Sequence, residues 1–535
     1  MKVGIGLSLE RDEGRAVRDA LRQARRAVAK PDLAVVFASI RRDPRRLRAA
    51  LKRALGPVPL VGGSSYAEIT GAGVTKGSLA VLLLGLEGGR VRLAETSCAR
   101  DPGSSGRELA AAVAGDAGLG RRVGLLFTAF DTGREQELLR AIADALGPVP
   151  LFGGLFCGDY DLGLSHPRFR RNWQLTRRGV SAKSSLLALL DLPRDDYEVA
   201  FGFSHGWQPV GPVMTVTRAE GSRVFELDGQ PVLNVYRQLL GGEGEDQFFE
   251  LMIQRYGFQT EEEGRTPRLK LPVAIDRRAG AIDVIPVEDM AGARLRLIQA
   301  SRRGTVRGAR EAAESCSAAL GGRRPGLVFV VSCCTRNAIL NSRMESEVGA
   351  VREVFGKDAP VFGFYSSGEL IPRGSSYADA SGDCAGSLYN VTTIGLMALA
   401  PRKPACVSQP RPLVLAPDAA GLSAALDAGE RSIDTAETFL SNLSRKSVRD
   451  AERLRSQTDV IRRYTPHQVF ARVGENAAKG VYELADAEFN GAFLFMDVKG
   501  FTAYSEGHRP AEVVEAVNRI FRPSVEAIYA AGGDV

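Results

Sequence analysis

One acidic residue near the end of the chain has the setting of a group that binds metal and phosphate. Asp497 follows the apolar run Ala492–Met496, which predicts a buried strand, and precedes a turn at Lys499–Gly500. A helix is predicted over Ala511–Tyr529. Carboxylate oxygens are the ligands that Mg²⁺ prefers, and backbone N–H groups at a turn and helix start can meet a phosphate. Response regulators and phosphatases show the same short pattern, so alone it does not select a reaction.

Three glycine-rich segments are a second place where the chain could bind a small molecule. They are Gly62–Glu68, Gly153–Tyr160 and Gly363–Glu369, and they combine glycine with hydroxyl, acidic and aromatic side chains. Glycine lets the backbone approach a ligand closely and adopt positive φ. The alternative is that these glycines only permit tight turns after strands. Three equivalent turns favour binding, but a duplicated fold would also duplicate its turns, so both interpretations remain open.

The elements that would position these segments form a repeated pattern. Each copy has a β-branched apolar strand, a helical stretch and a second strand ending in glycine. The first strands are Asp32–Ile40, Arg122–Phe130 and Gly326–Cys333, and the second ones lie in Gly56–Gly63, Gly147–Gly154 and Asp358–Ile371. A further apolar strand follows each copy, at Ser78–Gly85, Ser184–Leu192 and Gly386–Ala400. The alternation predicts an α/β fold whose ligand site lies where the strands end.

The span from Leu33 to Leu399 resembles the FIST sensory domain, a two-part bacterial module. The N-terminal part has PVPLVGGSSYAEI, and the C-terminal part runs from RAEGSRVFELDGQPVLNVYRQLLG through SCCTRNAIL and FGFYSSGELIP to YNVTTIGL. The resemblance implies a repeated strand–helix–strand sensory domain that binds a small ligand, with amino acids proposed for the family.

Within this resemblance we expect five residues to contact the ligand: Cys333, Arg336, Gly363, Tyr365 and Glu369. Arg336 could hold a carboxylate through two hydrogen bonds, and Glu369 could accept an ammonium group. The alternative is a buried Arg–Glu pair that closes the fold. Cys333 and its neighbour Cys334 are expected on opposite faces of a strand, which favours ordinary core cysteines over a redox role.

A hinge and a long helix are predicted after the sensory part. Residues 401–417 are rich in proline, and from Ala419 to Arg463 the chain has no proline and no glycine after Gly429. Ile433, Leu440, Ser447, Leu454 and Ile461 recur every seven residues, with interruptions at the intermediate positions. This imperfect heptad favours a two-stranded parallel coiled coil and hence a homodimer. The alternative is an amphipathic helix that lies on its own domain.

The segment from Tyr464 to Val535 resembles the start of a class III adenylate/guanylate cyclase catalytic domain. The matching strings are RYTPHQV, FMDVKGFTAYSE and the terminal AAGGDV. The resemblance implies that Asp497 and the carbonyl of Val498 bind metal, as part of a two-metal site for Mg²⁺ or Mn²⁺. It further implies that Val498, Lys499, Gly500, Phe501 and Thr502 lie along ATP or GTP, which is converted to a 3′,5′-cyclic nucleotide and pyrophosphate.

In cyclases the strand that begins GGDV leads to the second metal carboxylate and to the base-selecting residues. The chain ends at Val535, so we expect an incomplete, partial α+β ferredoxin-like domain without turnover of its own. The alternative is a non-enzymatic small-ligand receptor whose C-terminal segment dimerises or binds nucleotide. A third interpretation takes the terminal GGD as a diguanylate-cyclase motif, which the separate upstream motif at Asp497 disfavours.

Composition excludes several other classes. The 535 residues include 70 Lys+Arg and 63 Asp+Glu, and 25% charged with 44% hydrophobic residues is typical of globular proteins. No basic stretch interleaves aromatic residues, so nucleic-acid binding is not expected, nor is a membrane span or signal peptide. Seven cysteines without a CxxC pair disfavour zinc and disulfide scaffolds. We expect a cytoplasmic protein with sensory parts at 1–217 and 218–400, a linker at 401–463 and a cyclase-like part at 464–535.

Overall fold

The computed structural model describes residues 1–97, 101–115, 120–130, 133–160, 171–235, 255–261, 267–340, 343–382, 386–410, 473, 492–533 and 535. The chain divides into two compact units, Met1–Asn442 and Leu443–Val535. The expected hinge lies only partly within the described residues, and the heptad helix and the strings around Tyr464 lie outside them, apart from residue 473.

The larger unit begins with a repeat of six strands and two helices. In chain order these are β1 Lys2–Ser8, α1 Glu13–Ala24, β2 Leu33–Ser39, α2 Pro44–Leu55, β3 Leu60–Ser65, β4 Glu68–Thr70, β5 Gly73–Thr75 and β6 Leu79–Gly85. Both helices start at an aspartate whose carboxylate accepts backbone N–H bonds, Asp12 for α1 and Asp43 for α2. Strand β2 is buried along its whole length, as expected for a strand covered on both faces.

The second repeat has the same order of elements. They are β7 Arg90–Ser97, α3 Pro102–Val113, β8 Gly120–Ala129, α4 Glu135–Leu146, β9 Leu151–Phe156, β10 Gln174–Leu175, β11 Val180–Ser181 and β12 Ser184–Pro193. The helix expected from the 3.6-residue periodicity over Glu135–Leu146 is present over those residues.

The third repeat starts with β13 (Tyr197–Ser204) and is then interrupted by seven strands. These are β14 Gln208–Glu220, β15 Arg223–Leu227, β16 Gln230–Pro231, β17 Tyr256–Thr260, β18 Leu269–Asp276, β19 Ala281–Ile285 and β20 Arg294–Gln299. Since β14 pairs with both β20 and β15, six of them close into an antiparallel barrel, with β16 added beside β15. The expected domain boundary between residues 217 and 218 falls inside β14.

The third repeat resumes after the barrel. Its elements are α5 Arg302–Ala319, β21 Leu327–Cys333, α6 Cys334–Leu340, α7 Glu345–Phe355, β22 Val361–Ser366, β23 Glu369–Pro372, α8 Tyr377–Ser381, β24 Ser387–Asn390 and β25 Ile394–Pro401. A final short strand, β26 (Cys406–Ser408), pairs in parallel with β1 at the edge of the first sheet.

The three repeats build three sheets with one topology. The central strand orders are β3-β2-β6-β1, β9-β8-β12-β7 and β22-β21-β25-β13. In each sheet the first two strands are parallel and the others join them antiparallel. The prediction of a threefold-repeated α/β fold is therefore confirmed.

Each repeat also contributes a hairpin to the sheet of another repeat. The sequence did not indicate this exchange. The hairpin β4–β5 joins β22 of the third sheet, β23–β24 joins β9 of the second, and β10–β11 joins β3 of the first. The exchange closes a ring among the three sheets and covers one edge of each central sheet, where unpaired backbone groups would otherwise be exposed.

The main core lies between the three sheets. Phe37 of β2, Phe127 of β8 and Phe329 of β21 are fully buried, with ring centroids 5.4, 6.1 and 6.0 Å apart. Phe37 and Phe127 each pair in register with a glycine of the next strand, whereas the third repeat pairs Val331 with Phe364. The ring of Phe364 stacks on Phe37 at 4.0 Å. In the third repeat the aromatic ring of this pair is thus on the second strand and not on the first.

The smaller unit differs from the sequence prediction at its start. Ala492–Met496 is not a buried strand: it has no strand pairing among the described residues, and Phe493 and Phe495 are 80% and 91% exposed. A strand needs a hydrogen-bonded neighbour, which apolar composition alone does not supply. Helices α9 (Phe501–Gly507) and α10 (Pro510–Ala530) follow, the second where a helix was predicted. None of the described helices has the length and hydropathy needed to span a membrane.

Candidate functional site

The glycine-rich segments are not turns at their glycines, which corrects the prediction. Gly62, Gly153 and Gly363 lie inside β3, β9 and β22, at equivalent positions. A Cβ atom on each would lie 2.2, 1.9 and 1.9 Å from the carbonyl oxygens of Val36, Leu126 and Val330 on the neighbouring parallel strand. These glycines are therefore required by close backbone packing, and Gly363 contacts the core of the sheet.

The residues that follow these strands meet at one junction. The rings of Tyr66, after β3, and Tyr160, after β9, pack edge to face at 5.6 Å. The hydroxyl of Tyr160 lies 3.2 Å from Oγ1 of Thr335, at the start of α6. We call Tyr66, Lys76, Cys157, Tyr160, Cys333, Cys334 and Thr335 the turn cluster. It joins all three repeats at the carboxyl ends of their parallel strands, where α/β sheets usually bind ligands.

A cation lies at the solvent side of the turn cluster. Nζ of the exposed Lys76 donates a 2.6 Å hydrogen bond to the hydroxyl of Tyr66 and lies 4.2 Å from the centre of that ring. Asp159, the residue before Tyr160, forms an ion pair with Arg41 at 2.9 Å. An ammonium group, two tyrosines and a threonine hydroxyl are suited to a small polar ligand, and the ammonium favours a carboxylate.

The two neighbouring cysteines do not share a strand, which corrects a second prediction. Cys333 ends β21 and Cys334 begins α6, so the alternation of a strand does not apply to them. Both are buried, as is Cys157. Burial raises the pKa of Cys334 well above its usual value, and the thiols of Cys157 and Cys333 raise it further. Burial also opposes ionisation of Cys333, but hydrogen bonds from Cys334, Thr335 and Thr392 outweigh it and lower its pKa.

Arg336 forms a buried ion pair, and its partner is Glu347. Its Nε donates to Glu347 Oε1 at 2.5 Å, while Nη1 and Nη2 donate to the carbonyls of His205 at 2.8 Å and Thr305 at 2.7 Å. Both side chains are fully buried. The alternative of a buried Arg–Glu pair is thus the arrangement that forms, although with Glu347 in place of Glu369.

Tyr365 belongs to the same network. Its hydroxyl donates to Glu347 Oε2 at 2.7 Å, and the hydroxyl of Ser332 donates to that oxygen at 3.0 Å. Burial, followed by the charge of Glu347, raises the pKa of Tyr365. Sequence reasoning missed Glu347, which is the buried one of three acids in α7 and which the sequence does not distinguish from Glu345 and Glu353.

Glu369 has an equivalent in the first repeat, Glu68. Glu369 accepts from the hydroxyl of Ser366 at 2.7 Å and from the backbone N–H of Thr393 at 3.0 Å. Glu68 accepts from the hydroxyls of Ser65 and Ser78 and from the N–H of Ser78. Burial raises the pKa of Glu68 to about 7 and that of Glu369 well above its usual range. Both carboxyls hold a strand end to the loop before the last strand of their repeat.

The structure therefore brings the predicted ligand-contact residues close together, but most of them are engaged in structural contacts. Tyr365 and Arg336 share Glu347, and Cys333 lies close enough to Glu369 for its charge to raise the pKa of that carboxyl further, after burial. Gly363, Arg336, Tyr365 and Glu369 have structural contacts, whereas Cys333 is part of the turn cluster. Tyr66 and Tyr160 are the aromatic residues of the glycine-rich segments Gly62–Glu68 and Gly153–Tyr160, whereas Lys76 and Thr335 were not singled out from the sequence.

The expected nucleotide site in the smaller unit is exposed. Asp497 accepts a 2.8 Å hydrogen bond from the N–H of Val498, and Gly500 adopts φ of 82° before α9, which contains Phe501 and Thr502. Lys499 is exposed in the turn. Among the described residues of the whole chain, no group of three or more His, Cys, Asp or Glu side chains is arranged to hold a metal ion.

Comparisons with known proteins found two family models that match residues of the larger unit. The sequence model of the FIST N domain matches residues 32–230, and that of the FIST C domain matches residues 233–372, together more than half of the chain. No curated protein matches. A similar solved structure, titled "Cyanuric acid hydrolase: evolutionary innovation by structural concatenation", has a TM-score of 0.28 and 11% identity, and the match covers 75% of this chain and 99% of that one.

Proposed function

Because the chain belongs to the FIST family, which indicates a sensory role through small-ligand binding, we propose that its ligand site is the turn cluster. The observation that supports this is the meeting of all three repeats at Tyr66, Tyr160 and Thr335. A molecule bound there would touch three sheets at once, so its binding energy would depend on their relative arrangement.

The ligand that fits this site is a small carboxylate. The ammonium of Lys76 lies at the solvent side and can pair with an anionic oxygen, while the hydroxyls of Tyr66 and Tyr160 offer hydrogen bonds. The faces of the two tyrosines can also accept an ammonium group through cation–π contact. A free amino acid carries both groups, which agrees with the ligand class that the family resemblance implies.

Calorimetric titration of the full chain with single amino acids tests this site. Each amino acid is compared with its decarboxylated amine and its deaminated acid, and the expected result is binding that requires the carboxylate. Lys76→Met and Tyr160→Phe should each weaken binding about tenfold, which corresponds to about 1.4 kcal/mol. Lys52→Met, on α2, is the matched control. Unchanged affinity in both turn-cluster variants would exclude this site.

A second proposal concerns the output of the sensor. The string FMDVKGFTAYSE and the two helices that follow support a segment related to class III cyclases, with Asp497 as its metal carboxylate. Ligand binding in the larger unit would then set the production of a cyclic nucleotide from ATP or GTP, through a dimeric helical linker.

The described residues do not by themselves fit a metal site of this kind. Asp497 supplies one carboxylate and Val498 one carbonyl, whereas Mg²⁺ needs six oxygen ligands in near-octahedral geometry. No acidic cluster accompanies them among the residues that the structure describes. The proposal therefore requires ligands from elsewhere, and no catalytic step is derived through the metal.

Assays for cyclic AMP and cyclic GMP test the output. The chain and an extended gene product are each supplied with ATP or GTP and Mg²⁺ or Mn²⁺. Product that disappears in Asp497→Asn, but not in the exposed helical control Glu515→Gln, supports the cyclase. The competing proposal is a receptor whose C-terminal segment dimerises or binds nucleotide. Absence of product from both proteins, with a dimer in sedimentation analysis, would favour that receptor.

A further inference from the structure

The first repeat exposes a strongly basic surface. Residues 11–56, which contain α1 and α2, have 14 basic and 5 acidic side chains, a net charge of +9 compared with +7 for the whole chain. Both helices pack their apolar sides on the same face of the first sheet, so their other sides face away from it together. We call the exposed cations on those sides the basic surface: Arg15, Arg18, Arg22, Arg25, Arg26, Arg45, Arg46, Lys52 and Arg53.

The exposed positions of both helices are occupied almost entirely by cations. Every exposed side chain from residue 15 to residue 26 is an arginine, and on α2, which is described throughout, Ala49 is the one exposed residue that is not basic. Arg15, Arg18 and Arg22 are three and four residues apart, so they share one side of α1 and repel each other. Because this repulsion costs stability, the packing of the repeat does not account for the arrangement.

The acidic side chains of this region do not balance the basic surface. Glu13 is buried and pairs with Arg42 at 3.0 Å, and Asp12 and Asp43 accept backbone N–H groups at the starts of α1 and α2. Asp19 and Asp43 each pair with one arginine of the surface. Among the described residues, no ion pair with an acid involves the other cations, which are Arg15, Arg18, Arg25, Arg26, Arg45, Lys52 and Arg53.

The hairpin β10–β11 extends the basic surface beside α2. The side chain of Arg48 donates to the carbonyl of Thr176 at 2.9 Å and to that of Arg177 at 2.6 Å. These bonds hold the turn of the hairpin, in which Arg177 and Arg178 are exposed. Three neighbouring elements thus contribute cations to one continuous surface.

The basic surface offers a partner charge and little else. No large apolar side chain is exposed within residues 13–56, all of which the structure describes, and the one aromatic residue there, Phe37, is buried. Stable protein interfaces bury aromatic and apolar side chains at their centre, and single-stranded nucleic acids stack their bases on aromatic rings. Neither class of partner fits this surface.

A plane of phosphate groups fits the basic surface better than a nucleic-acid duplex does. The phosphates of a duplex lie on a cylinder, and its major groove admits a single helix, whereas α1 and α2 lie on one sheet face and present their cations together. A plane lets the cations of both helices and of the hairpin act at once. Such action needs close approach, because the attraction between charges falls off over about 10 Å in 0.1 M salt.

We propose that the basic surface docks this protein on an anionic lipid bilayer through the phosphate groups of the lipids. The planar guanidinium group matches two phosphate oxygens at once, and each arginine near an anionic bilayer adds to the attraction. Because no large apolar side chain accompanies the cations, docking does not require insertion into the hydrocarbon, so it is reversible and sensitive to salt. This surface is independent of the proposed ligand site and of the proposed output.

Sedimentation of the full chain with lipid vesicles tests the proposal. Vesicles of phosphatidylcholine are compared with vesicles that contain about one third phosphatidylglycerol, in about 0.1 M and about 0.5 M NaCl. The expected result is that the chain sediments only with the anionic vesicles and only at the lower salt concentration. Equal binding to both kinds of vesicle, binding that persists at the higher salt concentration, or no binding to anionic vesicles would each overturn the proposal.

A triple variant tests whether the basic surface is responsible. Three of its cations without an acidic partner are replaced together, in Arg18→Gln, Arg45→Gln and Arg53→Gln, and affinity for the anionic vesicles should fall about tenfold or more. The variant should remain folded in circular dichroism, because the altered side chains are exposed and like charges are removed. Unchanged affinity would overturn the assignment. Should the variant unfold, the salt response of the unaltered chain still decides on the bilayer.

A matched control removes the same charge elsewhere. Arg278→Gln, Arg324→Gln and Arg402→Gln replace three exposed arginines that lie outside the basic surface, and affinity should change less than about twofold, since distant charges are screened. Equal weakening in both triple variants would show that net charge, and not this surface, causes the binding, which would overturn the proposal.

A competitor separates lipid from nucleic acid as the partner. A DNA duplex of about 20 base pairs is added to the chain bound on anionic vesicles, at a phosphate concentration equal to that of the lipid. Most of the chain should stay on the vesicles. Complete release by the duplex would exclude the bilayer as the preferred partner and assign the basic surface to nucleic acid.

Discussion

The buried ion pair of Arg336 and Glu347 is surrounded by further hydrogen bonds. Glu347 receives donors from Arg336, Tyr365 and Ser332, and the remaining Arg336 donors reach backbone carbonyls. An ion pair that is removed from water stabilises a fold only when its remaining donors and acceptors are also satisfied. This network meets that requirement, so we expect it to fix the packing of α6 and α7 against β21 and β22.

Breaking the network on one side should be strongly destabilising. Glu347→Gln leaves the Arg336 charge buried without a carboxylate, and we expect a loss of about 3–5 kcal/mol in urea unfolding. The double variant Arg336→Met with Glu347→Gln should recover part of that loss, since no unpaired charge remains. The exposed pair of Arg134 and Glu137 is the control: Glu137→Gln should change stability by less than about 1 kcal/mol. A double variant as unstable as the sum of its parts would contradict the pairing.

The carboxyl of Glu68 should make stability depend on pH. Burial raises its pKa from 4.5 to about 7 in the folded state. The folded chain therefore binds more protons than the unfolded chain between these values, and stability falls as pH rises through this window. Glu68→Gln removes that titration. The stability of the variant relative to the unaltered chain should therefore increase by up to about 3 kcal/mol between pH 4.5 and pH 7.

The measurement for Glu68 is urea unfolding of both proteins at several pH values, compared as a difference curve. The difference removes other groups from the comparison, such as His205, whose pKa is lowered to about 4 mainly by burial. His205 acts in the opposite direction, because a lowered histidine pKa makes stability rise with pH. A difference curve that is flat between pH 4.5 and pH 7 would show that the Glu68 pKa is not raised.

At the scale of elements, the repeated glycines follow from how closely the parallel strands pack. Gly62, Gly153 and Gly363 each face a carbonyl oxygen of the neighbouring strand at a distance that no Cβ tolerates. Because the three positions are equivalent, one geometric requirement accounts for the repeated motif. The close strand packing that the three sheets share is thus a sufficient reason for these glycines, without a ligand.

An added methyl group at Gly363 should be strongly destabilising. In Gly363→Ala the new Cβ meets the carbonyl oxygen of Val330, so the strands must separate, and overpacking of this kind typically costs about 1–3 kcal/mol or more. Gly349→Ala in α7 is the matched control, because nothing lies within 4 Å of its Cβ. That change should raise stability by about 0.5–1 kcal/mol through higher helix propensity. Thermal unfolding of both variants checks the opposite signs.

At the scale of the whole larger unit, the barrel is an insertion into a threefold body. The chain enters the barrel after β13 and returns from it to α5 at almost the same point. The backbones of Gly206 and Gly304, on the two sides of the insertion, are in contact. The hairpins that the repeats exchange lie outside the barrel. The three-sheet body therefore has its own closed set of strand pairings.

Replacement of residues 208–299 by a short glycine–serine linker should leave that body folded. We expect a cooperative thermal transition at a lower temperature, since Leu269, Leu271 and Ile298 of the barrel pack into the core of the second repeat. Hydrogen exchange should still protect β2, β8 and β21. Loss of protection in β21 alone would show that the third repeat depends on the barrel.

Local pattern was sufficient to predict the elements of the repeats. The apolar strands, the helix over Glu135–Leu146 and the three copies follow from periodicity and from the recurring GPVPLVGG and GPVPLFGG strings, because these depend only on neighbours in the chain. The helix Pro510–Ala530 was predictable for the same reason. Asp497 and the cyclase-like output remain predictions that the sequence alone supports.

The sequence thus determined what each segment is, and the tertiary structure decided what each segment meets. The sheet that receives each hairpin, the acid that pairs with Arg336 and the meeting of the Tyr160 and Thr335 hydroxyls all depend on contacts between distant parts of the chain. Ala492–Met496 shows the same limit, since an apolar run becomes a strand only beside a partner. The physical reason is that pairing and burial energies arise between segments, whereas periodicity describes only one segment at a time.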